Sequence, residues 1–353
     1  MTYRIIQIFL LTLLQGTVLY GQQKDSARVL EPDQEFYRQG CKLMDSSKYK
    51  EAIKIFQKAI KSNSVFHQAY NKIAFCKVKL GDLNGAEKDL QKSLKIQPDD
   101  HNTIKYLGYV YLENKKYKEA KFYLDSAKYF LKDEPELIFL LGRLSLEIKD
   151  YKKALSYFNT CLDQRESYGE AYFKRGITFY RMLNFKAAVK DINKGFELLP
   201  NDTLNLDAYR ARAESAFEIG DFNLAVKDYT AVLKQSPKDV QALMFRGASK
   251  IELNDNSGAI EDESNALEID KNLFQAYNFR GVAKGGLKSY KEALADFEIA
   301  IKMKVDFHSA YVNRASIYYA MKEKKKACDD LYKADRCGSN IAYKLIESYC
   351  KEK

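Results

Sequence analysis

Residues 171–200 read AYFKRGITFYRMLNFKAAVKDINKGFELLP, two apolar periodicities of the helical kind separated by a turn. Ala188 opens the second of them. Steps of 34 residues from it reach Ala154, Ala120, Ala86 and Ala52 toward the N-terminus. Toward the C-terminus one step of 37 reaches Ala225, and steps of 34 resume to Ala259, Ala293 and Ala327. Nine alanines in register exclude coincidence. The chain is an array of helix–turn–helix units, in which each unit contacts only its neighbours. Its 353 residues therefore need not be divided into two or three globular domains.

Aligned on the alanines, the units span 33–66, 67–100, 101–134, 135–168, 169–202, 206–239, 240–273, 274–307 and 308–341, with 203–205 lengthening one connection. Turns are marked by Gly81-Asp82, Lys149-Asp150, Gly220-Asp221 and Asn254-Asp255. Pro98, Pro200 and Pro237 follow second helices, where a residue without an N–H ends a helix. The eighth place of each unit is small: Gly40, Ala74, Gly108, Gly142, Gly176, Ala213, Gly247, Gly281 and Ala315. Four places earlier stands a large residue, among them Phe36, Tyr70, Tyr172, Tyr209, Tyr277 and Tyr311. Four places after the marker alanine, Phe56, Leu90, Leu124, Phe158, Ile192, Tyr229, Phe297 and Leu331 are set to pack back across the hairpin. Glu263 alone breaks that set.

This pattern of a large residue, Gly or Ala four places later, Ala, Phe or Leu four after that, and a closing Pro resembles the tetratricopeptide repeat. The resemblance covers 33–341. It implies an all-α fold, a right-handed superhelix of nine repeats. The terminal segment 339–353 resembles the closing helix of secreted bacterial members. There Ile341, Leu345, Ile346 and Tyr349 fall at helical spacing, as a cap over the last exposed repeat requires.

Repeats five to nine carry Arg at the seventh place and Asp sixteen residues on. The pairs are Arg175/Asp191, Arg212/Asp228, Arg246/Asp262, Arg280/Asp296 and Arg314/Asp330. Each is expected to bridge the two helices of its own hairpin, because a half-buried guanidinium needs its carboxylate. A row of arginines gripping an anionic ligand is the competing reading, and a partner Asp at fixed spacing counts against it. Of six cysteines, Cys328 and Cys350 flank the turn at Gly338 so that antiparallel helices would bring them together as a disulfide. Cys41 and Cys76 are a weaker pair, and Cys161 holds a small packing position.

Residues 1–21 place Arg4 before an apolar run from Ile5 to Tyr20 ending at Gly21, the layout of a signal peptide cleaved near Gly21–Gln22. Gln7 and Gln15 interrupt the run, which is short for a membrane span, although an uncleaved anchor is the alternative. Residues 22–32 are a polar lead-in. The expected location is outside the cytoplasm, periplasmic or at the cell surface. Fifty-eight basic and 48 acidic residues give a net charge of +10 with no concentrated basic stripe, which disfavours nucleic acid.

Nothing in the sequence points to catalysis, a cofactor or a metal. His67, His101 and His308 all stand at the first place of a repeat without ligand partners. Gly-rich phosphate loops and nucleophile elbows are absent. What remains is surface. The resemblance implies that first helices line the concave side through their second, fifth, ninth and twelfth places. The candidate partner groove there comprises Tyr37, Asn71, Phe75, Lys105, Tyr109, Phe139, Arg143, Phe173, Tyr180, Arg210 and Phe217. It suits a peptide or helical segment of a partner protein. The alternative is that neighbouring helices bury these rings. A carboxylate clamp for chaperone C-termini is not assembled: Asn313 has the right type, but Met244, Asn278, Ala248 and Val282 do not complete it. Two functions follow, a peptide-binding scaffold of the cell envelope or a structural component of an envelope assembly using its convex face or ends. A sequon at Asn201-Asp202-Thr203 leaves a weaker thought of glycan handling. Partner identity and oligomeric state are not encoded in any motif.

Overall fold

The computed structural model describes residues 31–200 and 205–350. The signal-peptide reading of 1–21, nearly all of the lead-in and the sequon lie outside the described residues. Those described form nineteen α-helices and no strand. They divide into two compact units, one up to Phe130 and the other from Leu131. The division falls between Phe130 and Leu131 rather than in repeat five, where the sequence changes character.

In the first unit, Pro32–Asp45 pairs with Tyr49–Ser62, His67–Lys79 with Leu83–Ile96, and His101–Glu113 with Tyr117–Phe130. In the second, the pairs are Pro135–Glu147 with Tyr151–Gln164, Gly169–Arg181 with Phe185–Leu198, and Leu206–Glu218 with Phe222–Gln235. Val240–Glu252 with Asn256–Ile269, Phe274–Gly286 with Tyr290–Met303, and His308–Ala320 with Lys324–Arg336 complete it before the single helix Asn340–Tyr349. We call the two members of each pair A and B. Within each unit every helix packs on the next, and in the second unit successive A helices also touch one another. Each unit is a solenoid of helical hairpins.

The hairpin closes on a contact between glycine and a ring. A Cβ on Gly142 would stand 2.6 Å from the Phe158 ring, and one on Gly40 2.5 Å from Phe56. The same contact recurs as Gly176 against Ile192 and Gly281 against Phe297. Phe56, Phe158 and Ile192 are wholly buried and Phe297 is nearly so. At each turn one residue takes positive φ, at Ser47, Gly81, Lys115, Lys149, Leu183, Gly220, Asn254, Lys288 and Lys322. Glycine supplies it without strain only at 81 and 220, so the other seven each carry about 1 kcal/mol of backbone cost. The B helices recover part of this through caps. Asp82, Asp150, Asn184, Asp221 and Asp255 each accept a hydrogen bond from the N–H three residues on.

At the C-terminus a disulfide joins Cys328 to Cys350, with Cα atoms 5.7 Å apart. It ties the last helix to the B helix of repeat nine. Ala342 and Ile346 are its buried face, with Leu345 half-buried beside them. Ile341 and Tyr349, which the spacing assigned to that face, are exposed at 64% and 45%. Ser339 caps the helix at the Ala342 N–H, and this start together with the disulfide at the far end fixes which stripe turns inward. Cys41, Cys76, Cys161 and Cys337 are free thiols, so the weaker pairing of Cys41 with Cys76 is not made.

Glu263 occupies the place that Phe or Leu holds in other repeats. It is completely buried, and neither carboxyl oxygen has a hydrogen-bond partner. Burial, reinforced by neighbouring Asp262, pushes its pKa up to about 9 from 4.5. The folded protein therefore holds a proton that the unfolded chain releases above pH 4.5, and stability falls as pH rises from there toward 9. Between pH 5 and 8 the wild type should lose about 4 kcal/mol through this residue. Urea titrations of wild type and Glu263→Leu at both pH values check this: the variant should be more stable, and the gap should widen at pH 8. Reduction of the disulfide, or Cys350→Ser, should remove about 3 kcal/mol from the last hairpin. Faster amide exchange confined to 340–349 would register it.

Candidate functional site: a cleft on the second unit

Two ties hold the second unit together, and both use side chains that the sequence alone leaves ambiguous. The first is the arginine ladder. Arg212 donates from Nε and Nη2 to both oxygens of Asp228, at 2.6 and 2.7 Å, and the pair is buried. Arg175/Asp191, Arg246/Asp262, Arg280/Asp296 and Arg314/Asp330 repeat this two-pronged geometry. The carboxylate side of the ladder lies deeper than the guanidinium side. Asp191, Asp228, Asp262, Asp296 and Asp330 are all buried, whereas of the arginines only Arg212 is. The small residue at the eighth place lets the A helix close over each carboxylate. Asp191, Asp296 and Asp330 are buried and each bridges the two helices of its own hairpin, as the spacing predicts.

The third guanidinium nitrogen reaches the preceding repeat. Nη1 of Arg175 donates to Asn159, that of Arg212 to Asn193, that of Arg246 to Thr230 and that of Arg280 to Ser264. These acceptors were not read from the sequence, although a short polar side chain at the same place of each preceding repeat was the signal. The guanidinium planes also lie near aromatic rings, Arg212 4.4 Å from Phe196 and Arg280 5.4 Å from Tyr277. Each of these four arginines thus joins both helices of its hairpin to the repeat before it. In repeat two, where Ile73 replaces the arginine, Lys77 takes Asp89 at 2.6 Å instead.

The second tie corrects the groove. The fifth place of the A helix faces the residue that precedes the next A helix. Tyr37 packs on Phe66 with centroids 5.1 Å apart, and Phe139 on Tyr168 at 4.9 Å. Asn71 donates to Asp100 at 3.2 Å and to Thr103 at 2.7 Å, and Arg210 binds Asp239. Asp100 and Asp239 are themselves the caps of the following helices. Burial alone would raise the Asp239 pKa, but the Arg210 guanidinium and the cap N–H hold it below its usual range. Phe173 is 1% exposed, because Gly195 opposite has no Cβ to exclude its ring. Phe139 and Phe173 are therefore core residues and not groove anchors. In the first unit, Phe75 stacks on Tyr106 at 6.4 Å and Tyr109 on the same ring at 5.5 Å. Lys105 is half-buried there, and Arg143 in the second unit lies over the Phe139 ring.

What stays open is a cleft of about 710 Å³ across the A helices of repeats four to seven. Leu146, Ile177, Tyr180 and Phe245 give it apolar walls. Lys149, Lys174, Arg181 and Arg210 face Glu147, Asp207 and Glu214 around it, and Gln241 adds an amide. Of the residues expected from the sequence, Tyr180 and Arg210 line this cleft, while Phe217 lines an adjoining pocket. Phe245, 36% exposed, stands at the sixth place, outside the second, fifth, ninth and twelfth places from which the groove was read. The Tyr180 hydroxyl donates to Glu214, and burial with that carboxylate pushes its pKa up to about 12.

Among the described residues, no group of three or more His, Cys, Asp or Glu is arranged to hold a metal ion. His101 stacks on Phe130 at 3.7 Å, and His308 contacts Ser309 at 3.4 Å. No described helix is long and apolar enough to cross a membrane.

A repeated hairpin closed by a small residue against a ring defines the tetratricopeptide class, and a tetratricopeptide-repeat family model matches residues 210–272. The described helices have the tetratricopeptide-repeat solenoid fold, and the family match covers part of the second unit. Residues 22–174 also match a family described as an uncharacterized protein conserved in bacteria, DUF2225. No curated protein matches the chain. Among solved structures it is similar to a tetratricopeptide repeat protein from Parabacteroides merdae, at 20% identity over 81% of this chain and 99% of that one, TM-score 0.39. It is also similar to the APC/C hetero-tetramer Cut9–Hcn1, at 13% identity over 99% and 82%, TM-score 0.47. Yeast Tom70 matches at 14% identity over 89% and 93%, TM-score 0.38.

Asp228→Ala should destabilise the second unit by about 2–4 kcal/mol, since it strands a buried guanidinium. Asn193→Ala should cost about 1–2 kcal/mol by removing only the inter-repeat acceptor. Urea melts measure both, and no change on Asp228→Ala would dispose of the buried bridge.

Proposed function

We propose that the chain is a non-enzymatic interaction scaffold of the bacterial cell envelope, which holds a peptide or helical segment of a partner protein in the cleft of repeats four to seven. The observation that carries this is the cleft itself. Its walls combine exposed apolar surface with cations and carboxylates of both signs, on helices whose other faces are committed to the ladder and the joints. Phe245 supplies an aromatic anchor, and a tetratricopeptide array offers rigid helices to present it. Export is supported by the N-terminal signal pattern and by the Cys328–Cys350 disulfide, which persists in oxidising compartments. The bacterial setting is supported by the family match at 22–174.

A second reading, a structural component of an envelope assembly that uses its convex face, draws on Phe122 and Tyr129. These rings are 66% and 72% exposed on the B helix of repeat three. Site-specific photo-crosslinking in the native host separates the two readings. A crosslinker at Gln241, in the cleft, should yield a discrete protein adduct, whereas one at Gln164, exposed on a B helix, should not. Adducts from Gln164 or Phe122 with none from Gln241 would favour the assembly reading.

A further inference from the structure

Beside the cleft lies a smaller pocket of about 260 Å³, in repeats five to seven. Its walls are aromatic. Phe217 meets Phe245 at 6.1 Å and 72°, Tyr229 stacks on Phe245 at 6.1 Å and 12°, and Phe185 stands 6.5 Å from Tyr180. Two carboxylates, Glu214 and Glu218, line it against one guanidinium, Arg181. That guanidinium lies 5.4 Å from the Tyr180 ring, so the wall already carries a cation on an aromatic face.

Tyr229 is the informative residue. It is 2% exposed, lines this pocket, and its hydroxyl has no hydrogen-bond partner. Its place in the repeat is held by Phe56, Phe158 and Phe297 in repeats one, four and eight. Packing needs only the ring. The oxygen is an addition, and a buried hydroxyl left unpaired is a cost that a phenylalanine would avoid. Glu214 and Tyr180 line the same pocket beside it, and the Tyr229 oxygen is closed to solvent in the free protein. An occupant that donates a hydrogen bond to this oxygen, carries positive charge to the two carboxylates and lays its stem on the rings would satisfy every wall at once.

We propose that this pocket is the anchor for one lysine or arginine side chain of the partner polypeptide that occupies the neighbouring cleft. The proposal rests on the reading of that cleft as the partner site and adds the chemistry of its recognition. The rings take the cation and its methylene stem, the Glu214 and Glu218 carboxylates set the sign, and Tyr229 accepts from the head group. Arg181, at the rim, is the internal cation that the incoming one would displace or sit beside.

The test uses the full-length protein and a displayed library of random dodecapeptides. The tightest binder is resynthesised with a fluorescein label and titrated by polarisation. A cleft variant, Lys174→Glu with Gln241→Arg, establishes that it binds there. Replacing its basic residue by norleucine should weaken binding about tenfold. Tyr229→Phe, which restores the residue other repeats use and so should fold, is expected to weaken the basic peptide about three- to tenfold and leave the norleucine peptide unchanged. Glu218→Gln should act in the same direction. Cleft binding by peptides that lack a basic residue, or equal effects of Tyr229→Phe on both peptides, overturns the cation anchor while leaving the cleft as the partner site. If no peptide binds in the cleft, the anchor and the partner reading both fall.

Discussion

The structure depends on how closely the two helices of a hairpin approach, and that distance is set by a residue with at most a methyl side chain, Gly or Ala. At Gly142 and Gly176 the helix backbone comes so near its partner that an added Cβ would lie 2.6 Å from Phe158 or Ile192. Once those positions touch, the residues immediately before them face each other at the same offset of sixteen. An arginine and an aspartate there meet at hydrogen-bond distance from both prongs, as in Arg175 and Asp191. The ion pair accompanies the close approach whether the small residue is glycine, as at 176, or alanine, as at 213. Repeats one and three, with Gln39 opposite Ile55 and Leu107 opposite Tyr123, have hairpins without it.

What the arginine adds is direction along the array. Its remaining nitrogen leaves the hairpin and reaches Asn159, Asn193, Thr230 or Ser264 on the B helix before it. The fifth place does the same toward the repeat after it, through Arg210 on Asp239 or Asn71 on Asp100. In a nearest-neighbour stack these interface contacts decide how far an opening in one repeat spreads. Repeats five to eight are bonded in this way on their preceding side, so the cleft sits on the part of the chain whose neighbours are most firmly coupled. A preorganised wall loses less entropy when a partner orders against it.

The period of 34 made the helices legible, because one alanine per unit fixes the register of everything else. The pairing of arginine with aspartate was legible for the same reason, since a covariation repeated five times inside one chain is itself an observation. Its depth was not: a spacing of sixteen says which residues meet, but not that Asp191, Asp296 and Asp330 end up buried beneath the closing helix. The groove was less legible still. A helical wheel says which way a side chain leaves its own helix, but not whether a neighbour waits there. Phe173 leaves toward the concave side and is swallowed because residue 195 is glycine, a fact located twenty-two residues away. Arg210 points the same way and is retained by an aspartate of the next repeat. Phe245, one place further round, packs on Phe217 and Tyr229 yet stays partly on the surface.

Repeats six and seven also carry the two departures from the apolar rule at the ring position, Tyr229 and Glu263, and both have oxygens without partners. Their environments separate them. Glu263 is sealed beneath Gly247, away from either opening, and its protonated state is what the interior tolerates. Tyr229 lines a pocket of carboxylates and rings, where the proposed basic side chain would supply its oxygen with a donor. A defect in a core costs stability and nothing else. The same defect at the floor of an opening makes the free protein the less satisfied of two states, and leaves the difference for whatever side chain can fill it.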